Sequence, residues 1–274
     1  MRQKKSVLGS VAAAPHIVWA VMFIIAPLIF VAYYAFTDYD GNFTFDNILG
    51  LNEHAGTFLL SVELALIATV ICFVVGYPLA YIMARADAKK RRIYVLLLML
   101  PMWTNLLIRT YSMMAILDDG GLLNTILNYF DMGTVHIVGT KGAVVFGMVY
   151  DFLPFMVLPI YTVISKIDNR YLEAASDLGC SGFKVVSRVV MPLSVSGIVS
   201  GITMVFVPSI STFYISQKLG GGTFELIGDT IERQFQNDST YNIGAAISLV
   251  MMILILISLA VMNRFTDGEV EVAR

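Results

Sequence analysis

Six stretches of this chain, at about 15–36, 58–84, 93–117, 142–165, 193–215 and 242–263, are long and apolar enough to cross a lipid bilayer. A hydrocarbon core roughly 30 Å thick needs about 20 apolar residues in a helix. In lipid no water satisfies the backbone N–H and C=O groups, so each stretch has to be helical. The pattern predicts an all-α, polytopic membrane protein with about six transmembrane helices. Composition agrees, since only 14% of the residues are charged, against about 25% in soluble domains. The first stretch follows Arg2, Lys4 and Lys5 as a signal peptide would. Its apolar run is too long and lacks a small-residue cleavage site, so it reads as a retained span.

Lys and Arg in the short loops set the expected orientation. The N-terminus, loop 85–92, loop 166–192 and the tail together hold fourteen of the eighteen. Lys141, Lys218 and Arg233 fall on the other side, and Arg109 lies within the third span. Both termini are therefore expected in the cytoplasm, together with the segment between spans four and five. The outer side is acidic, with Asp38, Asp40, Asp46, Glu53, Asp118, Asp119, Asp131, Glu225, Asp229, Glu232 and Asp238 in or beside its loops. Such a rim concentrates cations at an entrance, although a positive-inside bias alone also leaves acids outside.

Glu63, Arg109 and Asp151 are ionisable groups inside spans, where charge is costly and normally faces a bundle interior or a wet cavity. Asp151 is the deepest; Glu63 lies near an outer end. Trp103, Asn105, Arg109 and Tyr111 give the third span a polar component. Helix-to-helix glue and a pathway lining both accommodate such residues. In the fifth span Gly197 and Gly201 form a small-xxx-small pair, and Pro208 predicts a kink near the middle. Phe213, Tyr214 and Gln217 follow among hydroxyls. The run 219–235, with its triple glycine, predicts an outward-facing loop and a short re-entrant or interfacial helix.

The sequence holds no Walker-type phosphate loop, nucleophile elbow or zinc-binding H-E-x-x-H. No Cys/His cluster suggests a metal, so neither a catalytic nor a metal site is expected.

Residues 168–192 are polar where their surroundings are apolar. Asp168 predicts the cap of a helix through 169–178, with Glu173 in its early turns. Ala174 and Ala175 are small enough for another protein to approach the backbone. Asp177 falls in its last turn, and Gly179 ends it, as glycine readily takes the left-handed conformation. Ser181 predicts the cap of a second helix that Pro192 closes. A bent helix pair lying on the lipid surface and a docking surface for a partner both fit this pattern.

Glu173-Ala174-Ala175, Gly179 and Val189-x-Met191-Pro192 resemble the EAA motif of bacterial ABC importer permeases, E-A-A-x3-G-x9-I-x-L-P. Val for Ile and Met for Leu are the departures. PMWTNLLIRTY at 101–111, LPFMVLPIY at 153–161, STFYISQKLGGG at 211–222 and IGDTIERQF at 227–235 are similar to the first permease of spermidine/putrescine importers. The resemblance implies a type I importer permease fold, one transmembrane domain over 1–274 in a bacterial cytoplasmic membrane, and coupling helices at about 168–192. It implies a cytoplasmic ATPase dimer that holds ATP and Mg, while this chain binds no cofactor and is not an enzyme. A second permease, an extracytoplasmic binding protein, membrane lipid and a polyamine complete the expected partners; nucleic acid is not among them. Trp103, Asn105, Phe213 and Tyr214 would flank the substrate path, with Glu225 and Asp229 near its outer gate. Gln217 stands where some relatives are expected to be acidic. A permease for another small solute, an anion or a sugar, is the alternative within the class; an ion-gradient-driven secondary transporter is the alternative outside it.

Overall fold

The computed structural model describes residues 15–272. Arg2, Lys4, Lys5 and Arg274, used in the charge count, lie outside the described residues, as does the side chain of Asp238. Among the described residues the one β pairing is an isolated bridge between Thr37 and Phe43.

The first span is α1 (Pro15–Ala35). Two short turns, Asp46–Leu49 and Gly50–His54, lead into α2 (Ala55–Arg85), which continues through Pro78. The apolar count predicts one continuous third span, and the structure breaks it. Helix α3 (Ala88–Met99) passes into a 3-10 turn at Leu100–Trp103, followed by α4 (Leu106–Leu117) and α5 (Leu122–Tyr129). The segments Ala88–Trp103 and Leu106–Tyr129 meet at 92°. Pro101 has no N–H to continue the helix. Thr104 is extended, and Asn105 restarts the helix by accepting from the Leu107 N–H at 2.8 Å.

The fourth span is α6 (Lys141–Ile164), capped by Thr140, whose Oγ1 accepts from the Ala143 N–H at 3.1 Å. Then come α7 (Asn169–Asp177) and α8 (Gly182–Leu193). Helix α9 (Val195–Ser211) leaves α8 at 75°. Pro208 does not stop α9 at its middle; the helix runs one turn further and breaks where Thr212 is extended. A short α10 (Tyr214–Leu219), α11 (Ile227–Phe235) and α12 (Tyr241–Val272) complete the chain. Among the described residues four helices are long and apolar enough to cross a membrane alone, and counting each bent pair as one span gives six.

Two π turns share a cause. Val21–Ile25 and Val186–Val190 each end two residues before a proline, Pro27 and Pro192. A proline ring crowds the carbonyl four residues back. Widening the preceding turn re-aims that carbonyl without ending the helix.

The chain divides into two compact units. One comprises residues 1–55 and 230–254. Ala35, Ala245 and Ala246 are its buried centre, with Tyr34 and Phe235 packed around them. Asn242 Nδ2 donates to the Thr37 carbonyl at 2.7 Å, and Asn47 Nδ2 donates to the same oxygen at 2.9 Å.

The other unit comprises residues 56–229 and 255–274. Helix α6 is central to it. Its Met156, Val157, Ile160 and Ile164 form one buried cluster with Tyr77, Ala80 and Met83 of α2 and Val205 of α9. Ala175, Val185 and Val190 join this cluster from α7 and α8. Nearer the other end of α6, Val144 and Met148 pack with Leu64, Met113, Ile215 and Leu219. Ile17, Phe23 and Phe30 of α1 and Ile67, Val70 and Val74 of α2 stay exposed, as lipid-facing side chains do.

Candidate functional site

Helices α7 and α8 form the bent pair expected between spans four and five. Asp168 Oδ1 accepts from the Arg170 N–H at 3.0 Å and caps α7. At the other end Gly179 has φ +81°. The Cys180 N–H donates to the Ala175 carbonyl at 3.1 Å and the Gly179 N–H to Ser176 at 2.9 Å, the paired bonds of a Schellman ending. Ser181 holds the first-cap position of α8 with an extended backbone, but its side chain makes no cap hydrogen bond there. Pro192 does not end α8 outright. The turn before it widens, and the break comes at Ser194.

The two alanines divide. Ala174 is exposed, whereas Ala175 is buried in the cluster with α2 and α6 and lets α7 approach its own spans. Glu173, Asp177, Tyr171, Leu178 and Phe183 remain exposed on the pair.

The joint to α9 is anchored. Ser194 is fully buried, and its Oγ lies 3.1 Å from the Tyr77 hydroxyl of α2. Beyond it Gly197 and Gly201 bring α9 against α6. A Cβ on Gly197 would stand 3.0 Å from the Pro159 carbonyl oxygen, and one on Gly201 3.0 Å from that of Met156. Helices α7 and α8 are therefore linked to α9 by a pinned joint, and α9 lies against α6 along a close backbone seam.

At membrane depth the structure unites two residues that the sequence treats separately. Arg109 of α4 forms an ion pair with Asp151 of α6, with side chains 12% and 1% exposed. Arg109 Nη1 also donates to the Pro101 carbonyl at 2.7 Å, an oxygen at the break of the third span that accepts from the Thr104 N–H and hydroxyl as well. The guanidinium lies 5.8 Å from the Tyr150 ring. A cavity of about 410 Å³ runs beside it, lined by Thr104, Ser112, Phe146 and Tyr150 among others.

Tyr111 and Tyr214 meet edge to face at 6.1 Å. Lys218 Nζ lies 5.0 Å from the first ring and 5.8 Å from the second, so these faces already hold an ammonium. Lys218 follows Tyr214 by one helical turn, a spacing that marks it as a neighbour. Trp103 ends the 3-10 turn exposed, and Asn105 is a helix cap, so neither sits on the face of a continuous helix. Phe213, at the start of α10, is exposed, as are Gln217 and Glu225. Asp229 is buried: its oxygens accept from Ser216 Oγ at 2.9 Å and from the Leu226 N–H at 2.8 Å, which fixes the turn before α11.

The fold is that of the ABC importer permeases. It matches at TM-score 0.75, with 18% identity over 94% of this chain and 96% of the other, a bacterial ABC transporter involved in the import of the acidic polysaccharide alginate. That transporter's complex with an alginate pentasaccharide-bound periplasmic protein matches at 0.76 and 18% identity, over 94% and 93%. The chain belongs to the family described as binding-protein-dependent transport system inner membrane component, whose pattern matches residues 76–269. It is 37% identical to the spermidine/putrescine transport system permease protein PotB of Haemophilus influenzae, over 92% of this chain and 93% of that one. The PotB of Escherichia coli is also 37% identical, over 92% and 97%. These relatives are permeases, transport components and not enzymes, and the chain is a multi-pass membrane protein of that kind.

Proposed function

We propose that this chain is one permease of an ATP-driven polyamine importer, a single transmembrane domain that forms half of the translocation path. The observation that carries the substrate class is the 37% identity, over 92% of the chain, to permeases named for spermidine and putrescine. The Tyr111 and Tyr214 faces suit an ammonium, as Lys218 at rest against them illustrates, and a polyamine amine would compete with Lys218 there. Trp103, Asn105, Phe213, Gln217 and Glu225 complete the proposed path around Arg109 and Asp151, with Asp229 shaping its outer turn.

Both termini and the α7–α8 pair face the cytoplasm in this proposal, where a partner ATPase dimer binds ATP and Mg and grips Glu173, Ala174, Asp177 and the Gly179 bend. A binding protein delivers substrate outside, and a second permease supplies the other half of the path. Closure of the ATPases displaces α7 and α8, and the Ser194 joint passes that movement to α9. Access then alternates between the two sides of the membrane.

The test is uptake and stimulated ATPase activity in the reconstituted complex, with spermidine and putrescine as competitors of a labelled polyamine. Both should compete, while a sugar or an organic anion should not. Glu173→Ala and Gly179→Val should lower uptake at least tenfold while leaving membrane insertion intact. Full uptake by both variants would overturn the coupling assignment, and competition by the anion alone would overturn the substrate class.

A further inference from the structure

Neither the path nor the docking face uses a polar cavity of about 510 Å³ between the end of α2, the start of α3 and the turn into α7. Its charged lining is Arg85, Arg91, Lys166 and Asp168. Three cations gathered around one hollow repel each other unless an anion lies between them. Asp168, with one oxygen capping α7, sets a single negative charge against these three, so the lining keeps a positive excess.

Arg85 is held through one nitrogen. Its Nη1 donates to Asn169 Oδ1 at 2.7 Å and lies 3.4 Å from the Ile167 carbonyl. Its Nε and Nη2 meet no acceptor among the described residues and are closed to solvent, so the Arg85 side chain has to turn into the cavity to present them. A guanidinium fork with two unmet donors matches two oxygens of a phosphate group. The surroundings indicate which phosphate. Ile82 on α2 and Ile93, Leu96 and Leu97 on α3 are exposed apolar side chains within a few turns of the cavity. Lys89, Lys90 and Arg92 stand exposed on the first turn of α3. A headgroup in the cavity would lay its acyl chains along this apolar surface, and the lysines would add attraction for an anionic leaflet.

We propose that the cavity seats the phosphate of an anionic phospholipid, and that the seated headgroup steadies the start of α7 through Arg85 and Asn169. The lipid is then a regulator of the α7–α8 pair.

The test uses the assembled importer in nanodiscs of phosphatidylcholine alone or with phosphatidylglycerol added. Native mass spectrometry reads the lipid retained, a measurement independent of the polyamine assignment, and ATPase activity reads the consequence. The double variant Arg91→Gln/Lys166→Gln leaves the Arg85 hydrogen bonds intact, so folding is not at stake; Arg85→Gln is the second variant. The wild type should retain phosphatidylglycerol over phosphatidylcholine, and each charge removed should weaken retention about fivefold. Only the phosphatidylglycerol-dependent part of the ATPase activity should fall. Equal phosphatidylglycerol retention by wild type and variants overturns the site. Inorganic phosphate reproducing the lipid effect in phosphatidylcholine discs overturns the lipid as its occupant. A variant that loses its ATPase partner equally in both lipids overturns it in favour of a protein contact.

Discussion

Arg109 and Asp151 are stable in the apolar layer only as a pair, because each partner would otherwise be a buried charge without compensation. Removing one should cost about 3–5 kcal/mol. Asp151→Leu is therefore expected to lower the thermal midpoint of the purified chain well below that of Arg109→Met/Asp151→Leu, in which both charges are gone. Equal midpoints for the single and double variants would show that the pair contributes no coupling. Asp38 allows a test outside the spans. The backbone N–H of Asn42 holds its carboxylate below the ordinary value of 3.8, assisted by the Asn42 side chain and the Asp40 N–H. A depressed folded-state value adds order above pH 3.8 that is lost as pH falls through that lower value. Protection factors of the amides in residues 38–42, referred to intrinsic exchange at each pH, should fall across that acid window, and Asp38→Asn should abolish the fall. Sequence identified Arg109 and Asp151 as costly but not as partners, because linear distance says nothing about which spans touch. Nor did it reveal that Asp229 is consumed by Ser216 and Leu226, since that depends on the turn between α10 and α11.

At the level of elements, the glycine seam and the helix breaks behave differently. Gly197 and Gly201 announce their close approach by spacing alone, and α6 meets them at backbone distance. Gly201→Val should cost about 1–3 kcal/mol by overpacking against Met156. A thermal midpoint unchanged from wild type would mean that α9 does not pack this tightly in the membrane. Gly179 contrasts with these, since nothing lies within 4 Å of a Cβ there and only its φ of +81° excludes other residues. The end of α7 was legible because capping chemistry is local: Asp168, then Gly179. The 92° break of the third span was not, since hydropathy counts apolar residues without regard to direction. Pro101 gave the warning there, and Asn105 is the residue that restarts the helix. Gly147 escaped notice for a related reason. It admits Ile215 of α10, whose Cγ2 would lie 2.8 Å from a Cβ, and a lone glycine in an apolar run carries no period.

For the whole molecule, the two natural cysteines offer a direct check of sidedness. Cys72 is fully buried, while Cys180 is partly exposed in the bend between α7 and α8. An impermeant maleimide should label the full-length chain in inside-out vesicles and not in right-side-out ones, and Cys180→Ser should remove the signal. Labelling from the outside would reverse the orientation that charge counting predicts. Family membership was legible because the EAA motif has a fixed spacing, whereas a substrate class leaves only scattered aromatics and acids. The widened turn at Val186–Val190 has a rotational consequence for the assembly. Each residue of an α-helix advances the azimuth by about 100°. A turn holding one residue more therefore sets the phase between Phe183 at one end of α8 and the Ser194 joint at the other. Deleting a single residue there would leave two sound helices whose ends no longer point the same way, a shaft intact but mistimed.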